Sequence, residues 1–214
     1  MIDIRALFCD ATDAAAPLLT DPVLKERFDG PSALAEFSVR GLSGHLVRAM
    51  TSVIAYLDCP EPGADADVVS AAEYYASVLG GESDIDSDFH RAIRQRGVEA
   101  APETPEALPG AWAETAVELR GRLAAERPGR LVQVYGDLVL TLDDYLVTRL
   151  IELVVHADDL AASLGVDPPP LPPAATGLVI TTLLEVARIR HGDAAVVRAL
   201  TRRERDTSEA LRVI

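Results

Sequence analysis

The sequence predicts an all-helical bundle carrying one small β-hairpin, and three observations lead there. Apolar residues recur at helical spacing along most of the 214 residues. Prolines and glycines punctuate those stretches at helix-length intervals. The period turns strand-like around Gly136-Asp137 and only briefly again at the C-terminal end. With 49% hydrophobic and 25% charged residues the composition is ordinary for a globular chain and argues against disorder. The length fits one main domain, since domains usually run to roughly 100–200 residues.

Residues 2–28 carry Ile4, Leu7, Phe8, Ala11 and Ala15 at helical spacing, and Pro17 and Pro22 should kink or break that helix. After Asp29-Gly30-Pro31, residues 39–57 place Leu42, Leu46, Ala49, Val53 and Leu57 on overlapping turns, a clear amphipathic helix. Pro60, Pro62 and Gly63 end it. A third helix is expected over 67–79, a shorter one near 87–96, a Pro- and Glu-rich loop over 101–110, and another helix over 111–126 that Pro128-Gly129 stops. Leu131, Val132, Val134 and Tyr135 before Gly136-Asp137, and Leu138, Val139 and Leu140 after it, read as the hairpin. Thr141 or Asp143 can cap a long helix over 144–164, which Gly165 closes. Residues 167–173 form a Pro-rich linker. The tail over 175–203 is helical with a break at His191-Gly192-Asp193, and residues 210–214 could add a strand. This divides the chain into a bundle over 1–166 and a linker with a helical extension over 167–214 that packs on it.

The formal net charge of −14 excludes the usual route to nucleic acid, because duplex binding rests on Lys and Arg neutralising phosphates, and it disfavours an acidic membrane surface equally. No stretch reaches the roughly 18 apolar residues of a membrane span, and the N-terminus has no basic region followed by an apolar run. A cytoplasmic protein is expected. Cys9 and Cys59 are too few and too unpatterned for a disulfide framework and read as buried or half-buried free thiols. His90 and His191 sit among charges and read as exposed.

On a wheel at about 100° per residue, Tyr145, Thr148, Arg149, Glu152, His156, Asp159 and Ser163 fall within one wedge about 120° wide, while the rest of that helix is almost wholly apolar. So much apolar surface marks a central helix. The wedge is either a solvated strip, with Glu152 and His156 as a surface pair, or a polar site turned into the bundle, and wheel geometry does not choose. Glu and His at i and i+4 can reach one cation. On the earlier helix His45 has Gly41 and Ala49 one turn away on either side, with Ser52 beyond, and small neighbours leave room beside an imidazole.

The strings FSVRGLSGHLVRAM (37–50) and TRLIELVVHADDLAASLG (148–165) resemble the two ligand-bearing helices of the mycothiol-dependent maleylpyruvate isomerase family, within the DinB-like superfamily of up-down four-helix bundles, and the terminal EALRVI (209–214) is similar to the end of many members. The resemblance implies a DinB-like bundle over 1–166 in which His45, Glu152 and His156 hold a divalent metal. From its place on the wedge, Asp159 could accept the other N–H of the His156 ring behind the ligands, and Arg149 could pair with Glu152 or meet an anionic substrate. Phe37 takes the place of the tryptophan that the family usually carries shortly before its histidine, and the middle of the chain matches nothing recognisable. The chain is also shorter than the larger isomerases with their further C-terminal domain, which argues against maleylpyruvate itself as substrate.

Two imidazoles and one carboxylate would leave a divalent metal with an open position, the pattern of catalytic zinc. Zinc is preferred from ligand type, and nickel, iron or manganese are compatible. The leading expectation is an enzyme, a metal-dependent S-transferase or isomerase in which mycothiol or another small thiol attacks an electrophilic small molecule. The alternatives are a metal-dependent hydrolase and a metal-binding bundle without catalysis. Oligomeric state, a homodimer included, is left open.

Overall fold

A computed structural model describes residues 2–63, 65–78, 88–201 and 208–213. Helix α1 (Ile4–Ala15) starts at Asp3, whose side chain accepts from the Arg5 and Ala6 N–H groups. It ends where the prolines require: Ala16–Thr20 tighten into a 3-10 turn, and α2 (Pro22–Arg27) restarts with Asp21 as its cap. Helix α3 (Val39–Leu57) has the predicted bounds, with the Ser38 hydroxyl accepting from Gly41 N–H at 3.0 Å. Then come α4 (Ala71–Val78), α5 (Asp88–Ala100), α6 (Leu108–Ala125), strands β1 (Leu131–Gln133) and β2 (Val139–Thr141), α7 (Leu142–Leu164), α8 (Pro173–His191) and α9 (Asp193–Thr201).

Helices α1, α6, α3 and α7 pack in a closed ring, each against the next, and enclose Phe8, Leu42, Leu46, Met50, Leu119, Leu146 and Leu150. This is the expected four-helix architecture. Helix α7 is its central member, touched also by α4, α8 and the hairpin, and Thr141 caps it through the Asp144 N–H. Helix α5 lies along α3, and α8 packs on α4, α7 and α1. The hairpin pairs Leu131 with Thr141 and Gln133 with Val139, and its turn uses left-handed Gly136 and Asp137. Among the described residues no helix is long and apolar enough to cross a membrane.

Several boundaries move for identifiable reasons. Helix α4 begins at 71 rather than 67 because Ser70 and Glu73 form a reciprocal cap, Ser70 N–H donating to Glu73 Oε2 at 2.8 Å and Glu73 N–H to Ser70 Oγ at 3.3 Å. Just before it, Val69 N–H donates to Val139 O and Val68 bridges to β2. The expected ends at 79 and 87 lie outside the described residues. Helix α5 runs past 96 to Ala100, and the expected 101–110 loop keeps only a 3-10 turn, Pro105–Ala107, before α6. Pro109 is tolerated in the first turn of α6, where its missing N–H would have no partner. Among the described residues, which stop short of Ile214, the C-terminal strand is not found: Ser208–Leu211 form a 3-10 turn, and the Val213 carbonyl accepts from Arg190 Nη1 at 2.8 Å, a side-chain donor in place of a sheet edge. Cys59 is exposed, contrary to expectation, while Cys9 is half-buried.

Candidate metal and ligand site

The polar wedge of α7 turns inward. Tyr145 and Thr148 are fully buried and Ser163 nearly so, whereas Asp158, off the wedge, is exposed. The surface-strip alternative is therefore excluded for most of its length. His45 on α3 faces this wedge, its ring centroid 5.3 Å from that of His156, with Phe37 on its other side at 5.4 Å. His191, by contrast, is exposed at the end of α8, and the side chain of His90 lies outside the described residues.

Glu152 is the hub. Its Oε2 lies 3.2 Å from His156 Nε2, and its Oε1 accepts from the Tyr75 hydroxyl at 2.5 Å and faces Arg149 Nη2 at 3.9 Å. Asp159 Oδ2 stands 3.2 Å from the other ring nitrogen of His156. Tyr75 is a functional residue that the sequence patterning does not single out. Its site partner comes from a different helix, though the inward positions Ala71, Ala72, Tyr75 and Val78 on α4 are a visible signal that its hydroxyl enters the bundle.

Burial tends to raise the Glu152 pKa, but the His156 hydrogen bond and the nearby guanidinium and imidazolium charges outweigh it and hold the carboxyl well below the usual range. Burial tends to lower that of His156, yet its bonds to Asp159 and Glu152 win and raise it to about 9. His45 goes the other way. Burial first, and repulsion from His156 second, push it down to about 4, so it is neutral at pH 7. Burial and the Glu152 charge push the Tyr75 hydroxyl well above its ordinary value.

Metal-free protein is expected to be most stable near pH 6.5. His156 binds its proton more tightly folded than unfolded, so its contribution is full below about pH 6.5 and is lost as pH rises through 9. His45 refuses a proton that the unfolded chain accepts, so stability also falls from pH 6.5 towards 4. Each arm is worth on the order of 3 kcal/mol. Urea unfolding of chelator-treated protein from pH 4 to 10 checks this, with His156→Gln flattening the alkaline arm; an alkaline arm unchanged in that variant refutes it.

Among the described residues, no three His, Cys, Asp or Glu side chains are disposed as a ready metal-holding group. The reason is local. His156 Nε2 meets Glu152, and His45 Nε2 is buried without a hydrogen-bond partner against α5, where a Cβ built on Gly97 would lie 2.6 Å from it. The room expected beside His45 is thus taken up on the Gly41 side by Gly97 and Val98 of α5. The donor set nevertheless suits a divalent cation. An oxygen and a nitrogen bound tetrahedrally at zinc distances stand roughly 3.3 Å apart, close to the 3.2 Å between Glu152 and His156. An orphaned neutral imidazole stands beside them.

A cavity of about 210 Å³ opens beside His45 and Glu152, with Ser52, Tyr74, Tyr75 and Tyr145 on its walls, together with Arg48, Arg96 and Arg149. Arg149 was already visible on the wedge. Arg48 was passed over, although it stands three residues beyond His45 on the same face.

The family model described as the mycothiol maleylpyruvate isomerase N-terminal domain matches residues 8–161, more than half of the chain. No curated protein sequence matches it. The crystal structure of the mycothiol-dependent maleylpyruvate isomerase matches with a TM-score of 0.55 and 16% sequence identity, over 85% of this chain and 67% of that one. A histidine-to-alanine mutant of the mycothiol-dependent maleylpyruvate isomerase matches at 0.54 over the same shares. At that identity the likeness speaks for the fold alone.

Proposed function

Since the chain belongs to the mycothiol maleylpyruvate isomerase N-terminal domain family, we propose that it is a thiol-dependent isomerase or S-transferase acting on a small electrophile, with a divalent metal held by His45, Glu152 and His156. The bundle over 1–166 would carry the chemistry, and the extension over 167–214 would brace it. The observation that supports this most is that His45 and Glu152 line one cavity while His156 stands 3.2 Å from Glu152, with the buried His45 Nε2 lacking a hydrogen-bond partner.

A bound divalent cation would supply Lewis-acid stabilisation of a thiolate near neutral pH. The chain's own residues prepare the place. Neutral His45 presents a lone pair without losing a proton first. Asp159 fixes the orientation of the His156 ring through Nδ1, leaving Nε2 on the Glu152 side. The Tyr75 hydroxyl donates to Glu152 Oε1 and to no base that could take its proton away at neutral pH, so it positions the carboxylate.

Zinc-loaded protein incubated with mycothiol and a panel of α,β-unsaturated electrophiles is expected to give thiol-dependent turnover. His45→Ala is expected to lose bound metal and at least about a hundredfold in rate, in line with loss of one ligand or its orienting partner. Metal content equal to wild type in His45→Ala and Glu152→Ala, or no turnover above the uncatalysed rate with any thiol, would sink the proposal.

A further inference from the structure

We propose that the cavity takes an electrophile built on one flat six-membered ring with carbonyl oxygens at its edge, of the benzoquinone class, and holds that ring by its tyrosines. This names the substrate class of the same site and so rests on the function proposed above.

The chain has five tyrosines, Tyr56, Tyr74, Tyr75, Tyr135 and Tyr145, and every one of them lines this cavity. They come from α3, α4, the hairpin turn and α7, so no local repeat places them there. Phe8, Phe28 and Trp112 fill the core away from it. Core filling does not explain the choice of phenol, because phenylalanine fills nearly the same space without a hydroxyl that burial makes costly.

The tyrosines already pack on one another as aromatic rings prefer. Tyr56 meets Tyr145 edge to face at 5.3 Å and 89°, and Tyr74 meets Tyr75 at 5.8 Å and 80°. A flat ring entering the cavity can extend this packing, and a puckered saturated ring cannot. Tyr74, Tyr75 and Tyr145 are buried, whereas Tyr135 at the hairpin tip is 58% exposed and gains a cover when a ring binds. The size agrees. A cavity of roughly 150 Å³ holds benzene, so about 210 Å³ suits one ring with small substituents.

The wall also offers donors. The Tyr74 hydroxyl, pushed up to about 12 by burial, keeps its proton at neutral pH, and Arg48 and Arg149 present N–H groups alone. Quinone oxygens are acceptors only. On such a ring the thiolate sulfur bonds to a carbon of the C=C, whose electron pair passes to the conjugated carbonyl oxygen. That oxygen takes the proton the thiol gave up, and the proton on the attacked carbon passes to the second oxygen. Thiol and quinone combine into an S-substituted hydroquinone with no further reactant.

4-Pyranone, flat and without a hydrogen-bond donor, and tetrahydropyran-4-one, its puckered counterpart, are titrated into chelator-treated protein carrying carbon-13 in its tyrosine rings. Because every tyrosine lies at the cavity, these signals read the site alone. 4-Pyranone is expected to shift at least three of the five, and the saturated ketone to bind at least tenfold more weakly. Tyr135→Ala is expected to weaken 4-pyranone at least fivefold at an unchanged melting temperature, and Tyr135→Phe to stay within twofold of wild type. Equal affinity for the two ketones, no shift with either, or wild-type affinity in Tyr135→Ala overturns the substrate class. Thiol-dependent turnover of open-chain electrophiles without 4-pyranone binding would leave the enzyme standing and remove the flat ring; 4-pyranone binding without any thiol turnover would do the reverse.

Discussion

Replacing Glu152 with alanine is expected to lower the unfolding free energy of the metal-free protein by about 3 kcal/mol, at the lower end for breaking one partner of a buried ion pair because the side chain keeps 27% exposure. One carboxylate answers the His156 imidazolium, the Arg149 guanidinium and the Tyr75 hydroxyl. Its removal takes the shared acceptor from two cations, while the Tyr75 hydroxyl keeps the Thr148 carbonyl at 3.1 Å, and the loss is larger than any one hydrogen bond because the partly buried cations keep their desolvation cost. The His156 pKa should fall below its present value of about 9, since Glu152 is one of the two carboxylates that raise it. His45→Ala supplies the contrast. Its buried Nε2 makes no hydrogen bond, so nothing polar is orphaned by deleting it. Urea unfolding of both variants, with the His156 titration followed by NMR, checks the pair; Glu152→Ala as stable as His45→Ala would show that the carboxylate is not the centre of a buried network.

Gly44→Ala is expected to separate α5 from α3. A methyl group at 44 would overlap the Gly97 carbonyl oxygen and lie 2.9 Å from Ala101 N, both backbone atoms that cannot swing aside. Overpacking of this kind typically costs about 1–3 kcal/mol, and here relief comes by moving a whole helix. That movement uncovers His45, whose ring lies against the same turn of α5, so the site should loosen along with the fold. Amide hydrogen exchange is expected to rise across 91–100 before it rises in α7. Gly121→Ala in α6, where a Cβ meets nothing within 4 Å, should instead stabilise by about 0.4–1 kcal/mol. Equal behaviour of the two variants would mean that α5 does not pack on α3 in this way.

Local signals carried most of the fold. Pro17 and Pro22 broke the first helix where expected, Ser38 opened α3, and Gly165 closed α7 in the left-handed conformation, because caps and breakers act through backbone groups a few residues away. The C-terminal strand failed for the opposite reason: a strand needs a partner, and residues 210–213 find a side-chain donor from α8. In the site, the sequence by itself determined that Arg149, Glu152, His156 and Asp159 share one face of a helix, since 3.6 residues per turn requires it. Whether that face meets water or His45 depends on where a second helix lies, which no periodicity contains, and only the tertiary structure turned it inward. Tertiary structure alone also brought Tyr75 to Glu152, laid Gly97 against His45 and gathered Arg48, Arg96 and Arg149 from three helices. Such contacts are set by packing between distant segments, and each segment read alone shows only its own half of them.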